Sequence, residues 1–180
     1  WLPAPSLGPG RLEIVVAVGG GSVIDAAKAM RLFYEHPELD LAELSLPFLD
    51  PRKRVADFPT DSHSLRLVAV PTTAGTGSEV SPAAVITVGR RKATMVDYCL
   101  VPDMAVVDPV LTLSLPPGPT ADTGLDALTH ALEGAVSIFS SPYTDAFCMQ
   151  AIRMIFQWLP AAVEHGDDIE ARTGMANAST

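Results

Sequence analysis

The chain has 180 residues, 48% of them hydrophobic and only 18% charged, which excludes an intrinsically disordered protein and leaves ample apolar surface for a core. Twelve Lys and Arg against 21 Asp and Glu give a net charge of −9, which argues against nucleic acid or an anionic membrane as a partner, since either repels such a surface. Cys99 and Cys148 are too few for a disulfide framework or a thiolate zinc site, so a reducing cytoplasm is the expected compartment. No apolar run reads as the roughly 20 residues needed to span a bilayer, and no basic segment leads into an apolar one as in a signal peptide.

The chain opens at Trp1 in a Pro/Gly-rich stretch. Leu12 to Val18 (LEIVVAV) then reads as a strand, apolar without alternation, as expected of a strand covered on both faces of a parallel sheet. Gly19-Gly20-Gly21-Ser22 follows at once, and Val23 to Tyr34 carries apolar residues at helical spacing. The stretch from about 35 to 64, punctuated by Pro37, Pro47, Pro51 and Pro59, reads as a short helix and a long excursion. Arg66 to Val70 is a second buried strand that ends in another Gly/Thr-rich turn, Pro71 to Glu79, and Ala84 to Val88 and Met104 to Val107 are further strands. Arg90-Arg91-Lys92 reads as a solvated turn.

The grammar changes at Leu115-Pro116-Pro117-Gly118-Pro119. Three helices are expected after it, over about 120–138, 142–164 and 168–180, broken at Ser141-Pro142 and Gly166. The expected fold is therefore an α/β nucleotide-binding domain with a mostly parallel sheet over 1–115, followed by the start of an all-α domain over 116–180. With no stop before Thr180, the chain reads as a piece of a longer protein.

Three motifs offer chemistry. Glycines between a buried strand and a helix let phosphates approach the free N–H groups at the helix N-terminus, and Asp25 stands where it could cap that turn or bond a ligand hydroxyl. A tight turn with no ligand fits the same glycines. The TTAGTGSE turn offers the hydroxyls of Thr72, Thr73 and Thr76 beside Gly75 and Gly77, also directly after a strand; in open α/β sheets ligands sit at the carboxyl ends of strands. Asp126 and His130, one turn apart with Glu133 beyond them, share a helix face and make half of a divalent metal site. An Asp–His ion pair, or a satisfied core histidine, is the other reading. The apolar neighbours Leu125, Ala127, Leu128, Ala131 and Leu132 suggest a buried face, where an unpartnered aspartate is costly, and this favours the ligand pair.

Taken together in this order, AVGGGSVIDAAK, VPTTAGTGSEVSP, PDMAVVDP and TGLDALTHALE resemble the iron-containing (group III) alcohol dehydrogenases. The link EHPELDLAELSLPFLDPRKRVADFP further resembles the alcohol dehydrogenase half of the bifunctional aldehyde-alcohol dehydrogenases. The resemblance spans about Leu12 to Thr180. It implies a dehydroquinate-synthase-like fold, an α/β domain and a helical domain with nicotinamide and metal meeting between them. It also implies that Gly20, Gly21 and Ser22 hold the NAD pyrophosphate with Asp25 nearby, and that Thr72, Thr73 and Thr76 line the adenosine and phosphate side. Ser81 and Val85 would approach the nicotinamide, Lys92 the ribose region, and Leu111 the adenine side. Asp126 and His130 would be two ligands of Fe2+, with Zn2+ as an alternative, the family's other two histidines falling beyond this chain.

The implied reaction is hydride transfer between NAD(H) and a short primary alcohol or aldehyde, in a protein that is a homo-oligomer when intact. Two ligands on one helix should hold iron weakly, so the isolated 180 residues are expected to be inactive. The reading from a different class is a non-catalytic nucleotide-binding or assembly module.

Overall fold

The computed structural model describes residues 12–45, 57–60 and 64–180; the Pro/Gly-rich opening and much of the Pro-punctuated excursion lie outside them. In chain order the elements are β1 (Ile14–Gly19), α1 (Gly21–Glu35), α2 (Leu41–Leu44), β2 (Arg66–Pro71), β3 (Ala83–Val88), β4 (Arg91–Val96), β5 (Met104–Ala105), α3 (Pro117–Ala135), α4 (Pro142–Glu164) and α5 (Ile169–Ser179). Short 3-10 turns lie at Tyr98–Leu100 and Pro109–Thr112.

β1, β2 and β5 form one sheet in that order, with β2 and β5 parallel and Val68 opposite Met104. The Arg66 N–H donates to the Glu13 carbonyl and the Thr72 N–H to the Gly19 carbonyl, so β1 advances with β2 and both strands end side by side. β1 departs from expectation. Ala17 is buried, but Ile14, Val16 and Val18 are more than half exposed, because α1 covers one face of the strand and no described residue packs on the other.

β3 and β4 make a separate antiparallel hairpin, with Ala84 opposite Met95 and Val88 opposite Arg91. Here too the expectation is corrected: Arg91 and Lys92 are not in the turn but begin a strand. The turn is closed at Gly89, whose φ of +62° favours glycine. Arg and Lys carry little strand preference, so β4 is set by tertiary packing: its Met95 is fully buried.

The chain divides into two compact units. The first takes in the described residues up to Val18, Ser22–Val70 and Ser78–Ala105. It holds two cores, one of Ala17, Ile24, Ala27, Leu67 and Ala69 between sheet and α1, the other of Ala29, Leu32, Leu44, Phe58, Ala84, Met95 and Leu100. The second comprises Gly19–Gly21, Pro71–Gly77 and Val106–Thr180, so that the two glycine turns group with the helices.

In the second unit α4 packs against both α3 and α5 around Ala127, Ile155, Ala162, Ala171, Met175 and Ala178. Leu159 of α4 lies against Gly124 of α3, and Trp158 against Gly174 of α5; large side chains fill places where a Cβ would clash. Ser141 and Thr144 form a capping box at the start of α4, and the Asp168 carboxylate accepts the Glu170 and Ala171 N–H groups at the start of α5. The absence of a spanning run also needs correction. α4 is long and apolar enough by length and composition to cross a membrane, its few polar residues being spread among apolar ones.

Candidate functional site

The two glycine turns meet in the second unit. The Thr72 N–H bond to Gly19, at 3.0 Å, sets them side by side. A Cβ on Gly21 would stand 2.7 Å from the Thr76 side chain, and one on Gly20 3.3 Å from that of Thr73. Gly21 is thus required, first of all, by the closeness of Thr76 on the facing turn, and Gly20 packs tightly against Thr73. The Thr73 Oγ1 is buried and has no hydrogen-bond partner, an orphaned donor that a bound phosphate or hydroxyl would satisfy. On that observation the turns fit a dinucleotide.

Gly75 brings the same turn onto the helix that carries the candidate metal ligands. A Cβ there would collide with the backbone carbonyl of Thr123 in α3. Within one compact unit, then, the β1–α1 turn packs on the threonine turn, and the threonine turn packs on α3 three residues before Asp126. Leu111 lies in the 3-10 turn Pro109–Thr112 and is partly exposed.

On α3 the Asp126 carboxylate and the His130 imidazole stand 3.8 Å apart, their side chains about half exposed at 45% and 52%. The buried face expected for them is not observed. Their neighbours Leu125 and Leu132 point outward as well, while Ala127 and Ala131 take the inner face. Glu133 is exposed. Among the described residues no group of three or more His, Cys, Asp or Glu comes together. A carboxylate and an imidazole one turn apart fit two corners of a metal's coordination sphere, and no described residue supplies a third.

In the first unit the remaining expected residues sit on α1 and the hairpin. Asp25 is buried, and both carboxylate oxygens accept from the protein: Oδ1 from the Ser78 hydroxyl at 3.0 Å and Oδ2 from the Val85 N–H at 2.9 Å. Ser22 lies in the first turn of α1, Ser81 just before β3, and Val85 within β3 with about a third of its surface exposed. Lys92 is exposed on β4, opposite Thr87.

Sequence reasoning missed three buried cations. The Lys28 ammonium has no exposed surface and donates to the carbonyls of Ser81 (3.0 Å) and Ala83 (2.6 Å); burial pulls its pKa below the ordinary lysine value, against the attraction of Asp25 and Glu79. Arg31 donates to the Asp103 carboxylate and to the carbonyls of Cys99 and Val101, and Arg66 donates to the same Asp103. Partial burial alone would raise the Asp103 pKa. The Leu67 N–H, the Arg66 hydrogen bond and the two arginine charges outweigh it and hold the carboxyl below the usual aspartate range. In the second unit Arg172 of α5 donates to Gly166, Thr120 and Leu115, tying α5 to the start of α3. The signal for the first two was present: Asp25, Lys28 and Arg31 recur at helical spacing on one face of an alanine-rich helix.

Comparison with known proteins agrees with this architecture. Residues 8–109 match the family described as iron-containing alcohol dehydrogenase, and residues 120–180 match the C-terminal part of the Fe-containing alcohol dehydrogenase family. The chain belongs to the iron-containing alcohol dehydrogenase family. It is 48% identical over 170 residues to an aldehyde-alcohol dehydrogenase of Streptococcus pneumoniae, covering 93% of this chain but only 19% of that protein. The iron-containing alcohol dehydrogenase of Thermococcus thioreducens has a similar structure, with a TM-score of 0.82 and 39% identity over 93% of this chain and 43% of that one. A sulfoacetaldehyde reductase of Bifidobacterium kashiwanohense, solved in complex with NAD+, is similar at a TM-score of 0.78 and 39% identity, covering 93% of this chain and 42% of that one. The 180 residues therefore span about a fifth of the pneumococcal relative's length.

Proposed function

We propose that this chain supplies the dinucleotide-binding turns and one side of the metal site of an NAD-dependent, iron-containing alcohol dehydrogenase acting on short primary alcohols and their aldehydes. The observation that carries the reading is the backbone approach of Gly75 to Thr123, which seats a glycine- and threonine-rich turn on the helix bearing Asp126 and His130. Gly20, Gly21 and Ser22 present backbone N–H groups at the start of α1 to the pyrophosphate. Thr72, Thr73 and Thr76 give hydroxyls to the adenosine and phosphate side, and the unpartnered Thr73 hydroxyl is the strongest of these. Ser81 and Val85 face the nicotinamide, Lys92 the ribose, and Leu111 the adenine.

Asp126 and His130 hold the metal from α3, and the same two donors suit Zn2+ as well as Fe2+. When bound, the metal supplies Lewis acidity toward the alcohol or aldehyde oxygen, and the nicotinamide gives or takes the hydride. The half-exposed setting of the pair leaves room for further donors and for the substrate oxygen. The proposal includes a homo-oligomeric intact protein and a cytoplasmic setting, in keeping with the free thiols of Cys99 and Cys148.

A pair of donors with no third among the described residues favours a second reading for the 180 residues alone, a nucleotide-binding module without turnover. One experiment separates the two. Iron content and NADH-dependent acetaldehyde reduction are measured anaerobically with ferrous iron, for this chain and for a version extended C-terminally to the length of its relatives. Activity that appears on extension, and is lost in Asp126→Ala and in His130→Ala, supports the dehydrogenase. An extended chain that binds NADH but stays metal-free and inactive refutes it in favour of the module.

A further inference from the structure

Two side chains of α1, one turn apart, hold the whole stretch that leads into the β3–β4 hairpin. Asp25 takes the Ser78 hydroxyl and the Val85 N–H; Lys28 takes the Ser81 and Ala83 carbonyls. The Lys28 ammonium also donates to the Ser81 Oγ at 3.3 Å and stands 3.7 Å from the Asp25 Oδ1. Its three N–H groups are thus surrounded by acceptors, with no surface open to water.

This arrangement decides what Ser81 can do. A hydroxyl oxygen that accepts from an ammonium turns its own hydrogen away from that ammonium. Among the described residues the acceptor offered to that hydrogen is the Ala83 carbonyl at 3.5 Å, at the limit of a hydrogen bond, and that carbonyl already receives Lys28 at 2.6 Å. The Ser81 hydroxyl is therefore a directed donor with a weak partner, on a half-buried residue.

We propose that Lys28 is a positioning residue for the cofactor: from the interior it fixes the backbone of residues 81–85 and orients the Ser81 hydroxyl as a hydrogen-bond donor toward a carbonyl acceptor, the carboxamide of the nicotinamide. The inference rests on the reading that Ser81 and Val85 lie at the nicotinamide end. Lys28 touches no ligand itself. Its neutral replacement removes the direction of Ser81 and slackens the two carbonyls, and it leaves the glycine and threonine turns, which belong to the other compact unit, with all their own bonds.

The test compares two ligands on the 180-residue chain by calorimetric titration: NADH, and ADP-ribose, which lacks the nicotinamide. In Lys28→Met, affinity for NADH falls about tenfold, the effect of one well-placed hydrogen bond and its alignment, while that for ADP-ribose is unchanged. Arg31→Lys, in a buried cation of the same helix that holds a different loop, controls for loss of stability and leaves the ratio of the two affinities as in the wild type. Ser81→Ala keeps the ammonium and its two carbonyl bonds and shows the same selective loss, so the test holds even where Lys28→Met fails to fold. Equal losses for both ligands, or none in Ser81→Ala, overturn the positioning role. A wild-type chain that binds neither ligand overturns the dinucleotide reading, and the inference with it.

Discussion

The two compact units are held together by different physics. In the first, buried charges on α1 reach out to backbone: Asp25, Lys28 and Arg31 bond the Val85 amide and the carbonyls of Ser81, Ala83, Cys99 and Val101, so the start of β3 and the turn at Tyr98–Leu100 are pinned from one helix. The second is built by shape. Gly75, Gly124 and Gly174 let backbone or a large side chain approach where any Cβ would collide, and one buried arginine ties the ends of α3 and α5. A unit of the first kind should fail through its electrostatics and one of the second through its volume.

The sharpest way to test that contrast is Gly75→Ala. The obstacle is the Thr123 backbone, which cannot rotate away as a side chain can, so this substitution is expected to lower stability by about 3 kcal/mol or more and to displace the threonine turn. Urea unfolding followed by circular dichroism reads the first effect, and loss of ADP-ribose binding reads the second. Arg172→Ala comes next. It strips the Leu115 and Gly166 carbonyls of a buried donor and is expected to remove about 2–3 kcal/mol, seen as a lower urea midpoint.

Asp103 probes the electrostatic unit. Its folded pKa lies below the ordinary value, so its stabilising effect is fully present above the unfolded pKa and is lost as pH falls through the folded one. Asp103→Asn should therefore melt several degrees below the wild type at pH 7, and the gap should begin to narrow below about pH 4, where the unfolded carboxyl protonates, and close only as pH falls through the lower folded pKa. A gap that stays constant down to pH 2 would mean that the arginines bond Asp103 without electrostatic gain.

The smallest structural effect is expected where the chemistry is proposed. Asp126 and His130 are half exposed, and an exposed ion pair contributes little, so either alanine variant should change stability by no more than about 0.5 kcal/mol. The extended protein should nevertheless lose its iron. A large stability change in either variant would show that the pair serves the fold instead.

The strands read over Leu12–Val18 and Arg66–Val70 and the helix read from Val23 were legible to within about two residues of the observed Ile14–Gly19, Arg66–Pro71 and Gly21–Glu35, and the helix start at Pro142 was legible too, because each rests on a local rule: an apolar run, a glycine turn, a proline at the first helical position. β4 was not, since Arg91 and Lys92 become strand only through pairing with β3 and burial of Met95. The exposure of Asp126 and His130 was misjudged for a related reason. Apolar neighbours in sequence do not say which face of a helix finds a partner, and here the alanines do.

By itself the sequence determined the family, through four ordered motifs, and the position of most elements. The tertiary structure alone decided what Asp25, Lys28 and Arg31 bond, why Gly21 and Gly75 must be glycine, and where the Thr73 hydroxyl stands without a partner. The physical reason is separation along the chain. Motifs and caps are written in neighbouring residues, whereas a buried charge or a missing Cβ has meaning only against groups some fifty residues away, such as Asp25 against Ser78 and Gly21 against Thr76.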